Sequence, residues 1–369
     1  MNERRAGWTD LVRLLPQGGP AILNVSVTNV CNATCSFCNY AHDKGFVRDR
    51  RWLDSARFAE AIALMRDRAA VRFVTFMGGE PLLHPELPAM ARAASAAGVQ
   101  PTLVTNGFNL PDRLEAMAAA GISTLFISMD AADAATHEAN RGLKGVVQRI
   151  RAAIARMPAL GITPIASVAM TRLVPDYAAL ARALKSLGFA AVTFSYPRRA
   201  APGSSSLVYS EDSPLLDLSA AELAAALDQV EAARAILPVH NPRPAMADLR
   251  RRLTGGQERF VCHAGYKYFY LDWDYQLWRC EDWDRPIGAV WDFTPAARVR
   301  DGCQACITDC YRDASVMLHF AVALGDAFAR LREGRVGAAA AALADRRNLG
   351  SLAAVAGHGG RIARLAGRG

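Results

Sequence analysis

The chain has 369 residues, 51% of them apolar, with 43 Lys and Arg against 35 Asp and Glu and a formal net charge of +8. That length and apolar share support one large core plus a smaller unit; no unbroken run of eighteen apolar residues reads as a membrane span, and Met1–Pro20 lacks the apolar stretch of a signal peptide. Only four of the basic residues are Lys and no basic run is interleaved with aromatics, so nucleic acid is not expected as a partner.

Within residues 1–20, Trp8, Leu11, Leu14 and Leu15 fit one face of a short helix. From residue 21 to 200, strand-like runs alternate with helical patterns. The strands are Ile22–Thr28, Arg72–Met77, Pro101–Thr105, Thr124–Met129, Pro164–Met170 and Ala191–Tyr196; the helices fall near 54–68, 86–97, 110–119, 144–157 and 175–187. Such alternation predicts a parallel sheet with right-handed crossovers. Six βα units are too few to close an eight-stranded barrel, so an open or partial barrel is the expected α/β form. Residues 201–255 read as linker and helix: Arg199–Ser213 is rich in Ser, Pro and Gly, and Ser219 with Glu222 forms a capping box before an Ala/Leu-rich run to about Ile236. Pro238, Pro242 and Pro244 then punctuate the chain. Residues 256–314 hold five cysteines, many aromatics and the strand-like run Tyr268–Trp273, which suggests a small metal-binding unit. Residues 315–369 form a basic helical tail, helical to about Ala356 and loose over Gly359–Gly369. Its arginines outnumber Asp326, Glu333 and Asp345, which suits an anionic lipid surface or an acidic partner.

All eight cysteines fall at 31–38 and 262–310, and no export signal precedes them. This pattern reads as metal binding in a reducing, cytoplasmic compartment. Cys31, Cys35 and Cys38 directly follow the first strand. Three thiolates in so short a run can wrap one metal centre and leave its fourth corner open, an arrangement for chemistry. A disulfide leaves one cysteine over. A structural zinc site needs a fourth ligand, and His42 is the nearest candidate. The second strand ends in Met77-Gly78-Gly79-Glu80-Pro81, where glycines admit close backbone approach and Glu80 offers a charge-assisted acceptor. The third ends in Thr105-Asn106-Gly107. The fourth ends in Ser128-Met129-Asp130, followed by Arg141-Gly142.

The CxxxCxxC run followed one strand later by GGE resembles the radical SAM superfamily, whose core is a partial (βα)6 TIM-like barrel. The resemblance implies that Cys31, Cys35 and Cys38 hold a [4Fe-4S] cluster whose fourth iron binds S-adenosylmethionine (SAM) through its amino and carboxylate groups. It places Gly78, Gly79 and Glu80 at the SAM ammonium, Phe37 near the adenine, and Asn106 in the same site. Ser128 and Asp130 would face the ribose and methionine, and Arg141 would pair with the SAM carboxylate. Ser167 and Tyr196, near later strand ends, are further candidates to line the pocket. The implied reaction is reductive cleavage of SAM to methionine and a 5′-deoxyadenosyl radical, which attacks an unreactive carbon. An electron donor such as flavodoxin or ferredoxin is implied with it.

The later set, Cys262, Cys280, Cys303, Cys306 and Cys310, resembles the SPASM and twitch extensions that carry auxiliary [4Fe-4S] clusters. Tyr275 stands where those extensions usually have Gly. Five thiols suffice for one cluster with one left over, and a zinc knuckle built on Cys303, Cys306 and Cys310 stays open as an alternative. Only about twenty residues precede the barrel, which favours a small-molecule or lipid-like substrate; modification of a peptide or protein side chain is the alternative. Tyr266, Tyr268, Phe269, Tyr270, Trp273 and Trp278 could line an apolar pocket or form the core of the small unit.

Overall fold

In the computed structural model, which describes residues 12–42, 49–197 and 213–365, six strands alternate with helices as the sequence pattern requires. They are β1 (Ala21–Ser26), β2 (Val71–Met77), β3 (Gln100–Thr105), β4 (Thr124–Ser128), β5 (Thr163–Ala169) and β6 (Ala191–Ser195), each parallel to the next. The covering helices are α1 (Ser55–Ala69), α2 (Leu87–Ala96), α3 (Leu110–Ala119), α4 (Ala134–Arg141), α5 (Val146–Arg156) and α6 (Tyr177–Leu187). The two-residue period of a strand sorts side chains to opposite faces. Thus Leu23, Val25, Val74, Phe76, Leu125 and Ile127 are buried in the main core, while Asn24, Thr75, Phe126, Ser167 and Thr193 line a cavity inside the sheet's curve. Helix α4 was not expected. Its inward positions are His137 and Arg141, so no apolar stripe announces it, and the Asp133 side chain caps it by accepting from Thr136 N.

The cysteine-rich unit does not form a separate layer. Its strands β7 (Tyr268–Leu271), β8 (Gln276–Trp278) and β9 (Gly288–Ala289) extend the barrel sheet in the order β6-β5-β4-β3-β2-β1-β7-β8-β9. Strand β7 lies parallel to β1, Ile22 opposite Tyr268 and Val25 opposite Leu271. The Tyr268 hydroxyl donates to Asn24 Oδ1 at 3.0 Å. All four β7 residues are buried, as a strand covered on both faces must be. Of the six aromatics that could line a pocket or form a core, Tyr268 lines the cavity and Phe269 packs on Phe293 in the core.

Most of the Arg199–Ser213 linker, together with Trp8 and Leu11, falls outside the described residues. Beyond it stand two helices, α7 (Ala220–Ala233) and α8 (Arg243–Leu253), the second opening on Pro244. The capping box is formed: Glu222 N donates to Ser219 Oγ, and Ser219 N donates to Glu222 Oε2. Ser219→Ala is expected to cost about 1 kcal/mol, read as a lower denaturant midpoint at unchanged slope.

The C-terminal segment is more helical than expected. Helix α9 (Asp309–Arg332) begins six residues before Ser315, and after α10 (Val336–Leu343) the last helix, α11 (Arg347–Leu365), continues past Gly359. Helix α9 runs along the open side of the partial barrel. Near its start Asp309 accepts from Ser195 Oγ on β6, at 3.3 Å. Cys310, Asp313, Ala314, Met317, Leu318 and Ala321, one face at helical spacing, line the cavity. Near its end Gly325 meets the turn before β1 so closely that a Cβ would lie 2.5 Å from Gly18 N. By length and composition α9 could cross a membrane, but 44% of its most apolar stretch is buried inside this fold.

Candidate cofactor and substrate site

The first three cysteines occupy the loop after β1, at the carboxyl ends of the strands, where parallel α/β barrels place reactive groups. Cys38 N donates to Cys35 O at 3.1 Å, curling the loop; the Cys31 thiol senses Cys35, and the Cys38 thiol senses both others. Burial pushes the Cys31 thiol up to about 12 and raises Cys35 and Cys38 as well. Thiols so desolvated stay neutral unless a cation or metal compensates the thiolate. Among the described residues no three His, Cys, Asp or Glu are grouped closely enough to hold a single metal ion. Three thiols on one short loop, with the fourth corner left open, suit an iron–sulfur cluster that keeps one iron for a ligand. The His42 side chain lies outside the described residues.

The glycines of the Gly78-Gly79-Glu80 run let the cysteine loop sit directly on the end of β2. Gly79 N donates to Thr28 O and Glu80 N to Val30 O, both at 2.8 Å. A Cβ on Gly79 would lie 2.2 Å from Val30 O, and Gly78, at φ +123°, would bring one 2.4 Å from Thr28 O. Gly79→Ala must therefore displace backbone one residue before Cys31. The expected result is loss of most of the iron bound at the first site, checked by iron content and by SAM cleavage after anaerobic reconstitution.

Glu80 is buried, and its carboxylate accepts from Thr105 Oγ1 at 2.6 Å, Asn106 N at 2.7 Å and Leu82 N at 3.0 Å. Burial raises its pKa, and those three donors pull against the rise. Three of a carboxylate's roughly four acceptor positions are thus taken within the chain, leaving about one for a ligand. Asn106 is likewise committed, donating from Nδ2 to Asn32 Oδ1 at 2.7 Å on the cysteine loop.

Arg141 departs from expectation. Its guanidinium fork grips Asp130, Nε to Oδ2 at 2.8 Å and the second nitrogen to Oδ1 at 2.7 Å, instead of standing open for a SAM carboxylate. Burial alone would raise the Asp130 carboxyl; Arg141 first, then His137 and Asn140, hold it below the usual range. Burial lowers His137 to about 4, so its ring is neutral and accepts from Asp130 N at 3.0 Å. The pair is wired to the cysteine loop. Thr34 N donates to Arg141 O at 2.8 Å and Ser36 Oγ to Asn140 Oδ1 at 2.6 Å.

The cavity inside the barrel measures about 1930 Å³ and is lined mostly by apolar groups. Phe37, Ser128 and Arg141 border it beside the cysteine loop, and Ser167 lines it from β5. Tyr196 is buried against Asn241, whose Nδ2 reaches its hydroxyl at 3.3 Å, and does not serve as expected. The side-chain amide of Asn241 also pairs with both backbone groups of Phe194 and donates to Asp313 Oδ2 at 2.8 Å. Sequence reasoning missed Glu281, Asp309 and Asp313, all of which line the cavity. The four-residue spacing of Asp309 and Asp313 on α9 was the available signal.

The five later cysteines also converge. Cys262 and Cys280 are buried around Tyr268 and Tyr311, with Cys303 and Cys310 packed against them. Cys262 N donates to Cys303 O at 3.0 Å. Burial raises Cys262, Cys280 and Cys310 and lifts Cys306 to about 11, and Cys280 and Cys310 both feel Cys306. Tyr275 adopts φ +60°, the left-handed conformation that glycine takes freely. Its ring on Trp291 and its hydroxyl on Asp54 O hold it there. The turn thus holds a tyrosine in a conformation that ordinarily favours glycine.

A family model described as the radical SAM superfamily matches residues 25–188. Those residues form a radical SAM domain. The cofactors of this family are a [4Fe-4S] cluster and SAM, and the cysteine loop on the barrel mouth is where this domain presents three thiols. The chain is 32% identical over 145 residues to the GTP 3′,8-cyclase of Mycolicibacterium smegmatis, covering 39% of itself and 40% of that protein. It is 32% identical over 137 residues to the AdoMet-dependent heme synthase of Methanosarcina barkeri, covering 37% and 38%. It thus spans about two-fifths of the length of these curated relatives. SuiB of Streptococcus suis bound to S-adenosylmethionine shares the fold, with a TM-score of 0.52 at 14% identity over 74% of this chain and 64% of that one.

Proposed function

We propose that this protein is a radical SAM enzyme that modifies an unreactive carbon of an apolar small-molecule or lipid-like substrate held in the barrel cavity. The observation that carries this reading is the cavity itself: large, mostly apolar, and reached by Phe37 from one cysteine set and by Cys310 from the other. Cys31, Cys35 and Cys38 hold the cluster, which when bound supplies the electron that splits the SAM sulfonium. The chain's own residues do the rest. Gly78 and Gly79 seat the loop, and Glu80 offers its last acceptor position to the SAM ammonium. Asp130 fixes Arg141, so that a positive charge borders the SAM site at a defined place. Helix α9 closes the barrel and excludes water from the reacting carbon. Four of the five later cysteines hold an auxiliary [4Fe-4S] cluster, and an external flavodoxin- or ferredoxin-type donor supplies electrons.

The two metal sites are tested by counting. Anaerobically reconstituted protein is expected to carry about eight irons per chain, the sum of two four-iron clusters. About four irons with stoichiometric zinc would replace the auxiliary cluster by a zinc knuckle. For the substrate, apolar extracts and short peptides are compared for their ability to speed 5′-deoxyadenosine formation; stimulation by peptide alone would transfer the reading to side-chain modification.

A further inference from the structure

Of the eight large apolar residues exposed among the described residues, six lie on the C-terminal helices: Phe328, Leu331, Val336, Leu343, Leu349 and Leu352. They fall in pairs that share a face of one helix. Phe328 and Leu331 are three apart on α9, Val336 and Leu343 seven apart on α10, and Leu349 and Leu352 three apart on α11. An ordinary soluble surface scatters such residues singly. Each pair is flanked by an exposed arginine: Arg332 beside Leu331, Arg335 beside Val336, and Arg346 one turn from Leu349. The acids here are already engaged, Glu333 by Arg335 and Asp345 by Arg347. Arg361, Arg364 and Arg368 follow in sequence with no acidic residue among them.

We propose that this α9–α11 surface docks the protein on an anionic lipid bilayer. Apolar side chains at the acyl boundary with arginines at the phosphate level is the arrangement an interfacial anchor requires. A second protein with an acidic apolar groove would satisfy the charge as well, but apolar pairs beside arginines repeated on three successive helices suit an anionic plane. The position of the surface gives it a use. Helix α9 runs from the cysteine end of the cavity, at Cys310 and Asp313, to the strand amino ends beside Gly18, and its exposed Phe328 and Leu331 lie just beyond. Met317, Leu318 and Ala321 of α9 and Val355 of α11 line that far part of the cavity. The docking face and the apolar interior therefore share the same two helices. The inference concerns the partner surface and stands apart from the chemistry proposed for the barrel.

The test is sedimentation of the full-length, cluster-loaded protein with phosphatidylglycerol–phosphatidylcholine vesicles and with phosphatidylcholine vesicles alone. Binding is expected only with the anionic vesicles and is expected to fall sharply in high salt. Arg332→Gln with Arg346→Gln should weaken it about tenfold or more, since each basic residue near a charged surface contributes about a fivefold factor. Leu349→Ser with Leu352→Ser should weaken it on both salt regimes. These residues are exposed, so cluster content and SAM cleavage serve as controls for folding and should not change. Equal sedimentation of all variants, or none by the parent protein, overturns the proposal. So does concentration-dependent self-association that the same variants abolish, which would make a second copy the occupant.

Discussion

Cys35→Ala is expected to abolish 5′-deoxyadenosine formation from SAM and dithionite while leaving the protein folded. Cys35 is the middle of three thiols on one loop, buried and facing both neighbours. Removing it leaves two ligands for an iron cube that needs three protein thiolates to keep its fourth iron for SAM. The loss should be complete, since no other cysteine outside the first set lies nearer than residue 262 in sequence and the later set packs in its own cluster around Tyr268. Iron should fall from about eight to about four per chain, because the later set is untouched. If the later set holds the proposed auxiliary cluster, Cys280→Ala is expected to lower iron content while the first site and its SAM cleavage remain. If Cys35→Ala retained SAM cleavage, the assignment of this loop would be wrong.

The barrel was legible because its strands must satisfy two surfaces at once. Alternating residues in β2 to β5 face either the cavity or the helices, so their limits fall within a residue or two of the pattern. Ser219 and Glu222 marked α7 for an equally local reason, a reciprocal bond across three residues. What stayed hidden depends on contacts far apart in sequence. Nothing in Tyr268–Leu271 says that its partner is β1, because a strand buried on both faces carries no alternation. Helix α4 hid behind His137 and Arg141, inward residues that only make sense once Asp130 is beside them. The early start of α9 hid because its first inward residues, Cys310 and Asp313, are polar groups facing a cavity. Glu80, Asn106 and Asp130 could be singled out as strand-end polar residues, but not that Glu80 is largely satisfied within the chain.

Asp130→Ala is expected to destabilise the fold by about 3–5 kcal/mol, the cost of stranding a buried charge. Arg141 is nearly buried and its two strongest bonds go to Asp130, which is itself enclosed. Without the carboxylate, the guanidinium must either break through to water or remain unpaired among Cys35 and Cys31. Asn140 loses its acceptor at 2.8 Å as well. The effect should reach the metal, since Arg141 O and Asn140 Oδ1 hold Thr34 and Ser36 between the first and third cysteines. Iron retention at the first site should therefore drop together with stability. Combining Asp130→Leu with Arg141→Met, which replaces the pair by apolar groups, should recover much of the stability but not SAM binding. Equilibrium unfolding of the three proteins, followed by iron content and SAM affinity, separates these effects. A cost below about 1 kcal/mol for Asp130→Ala would mean that water reaches Arg141 and that the pair does not brace the cysteine loop.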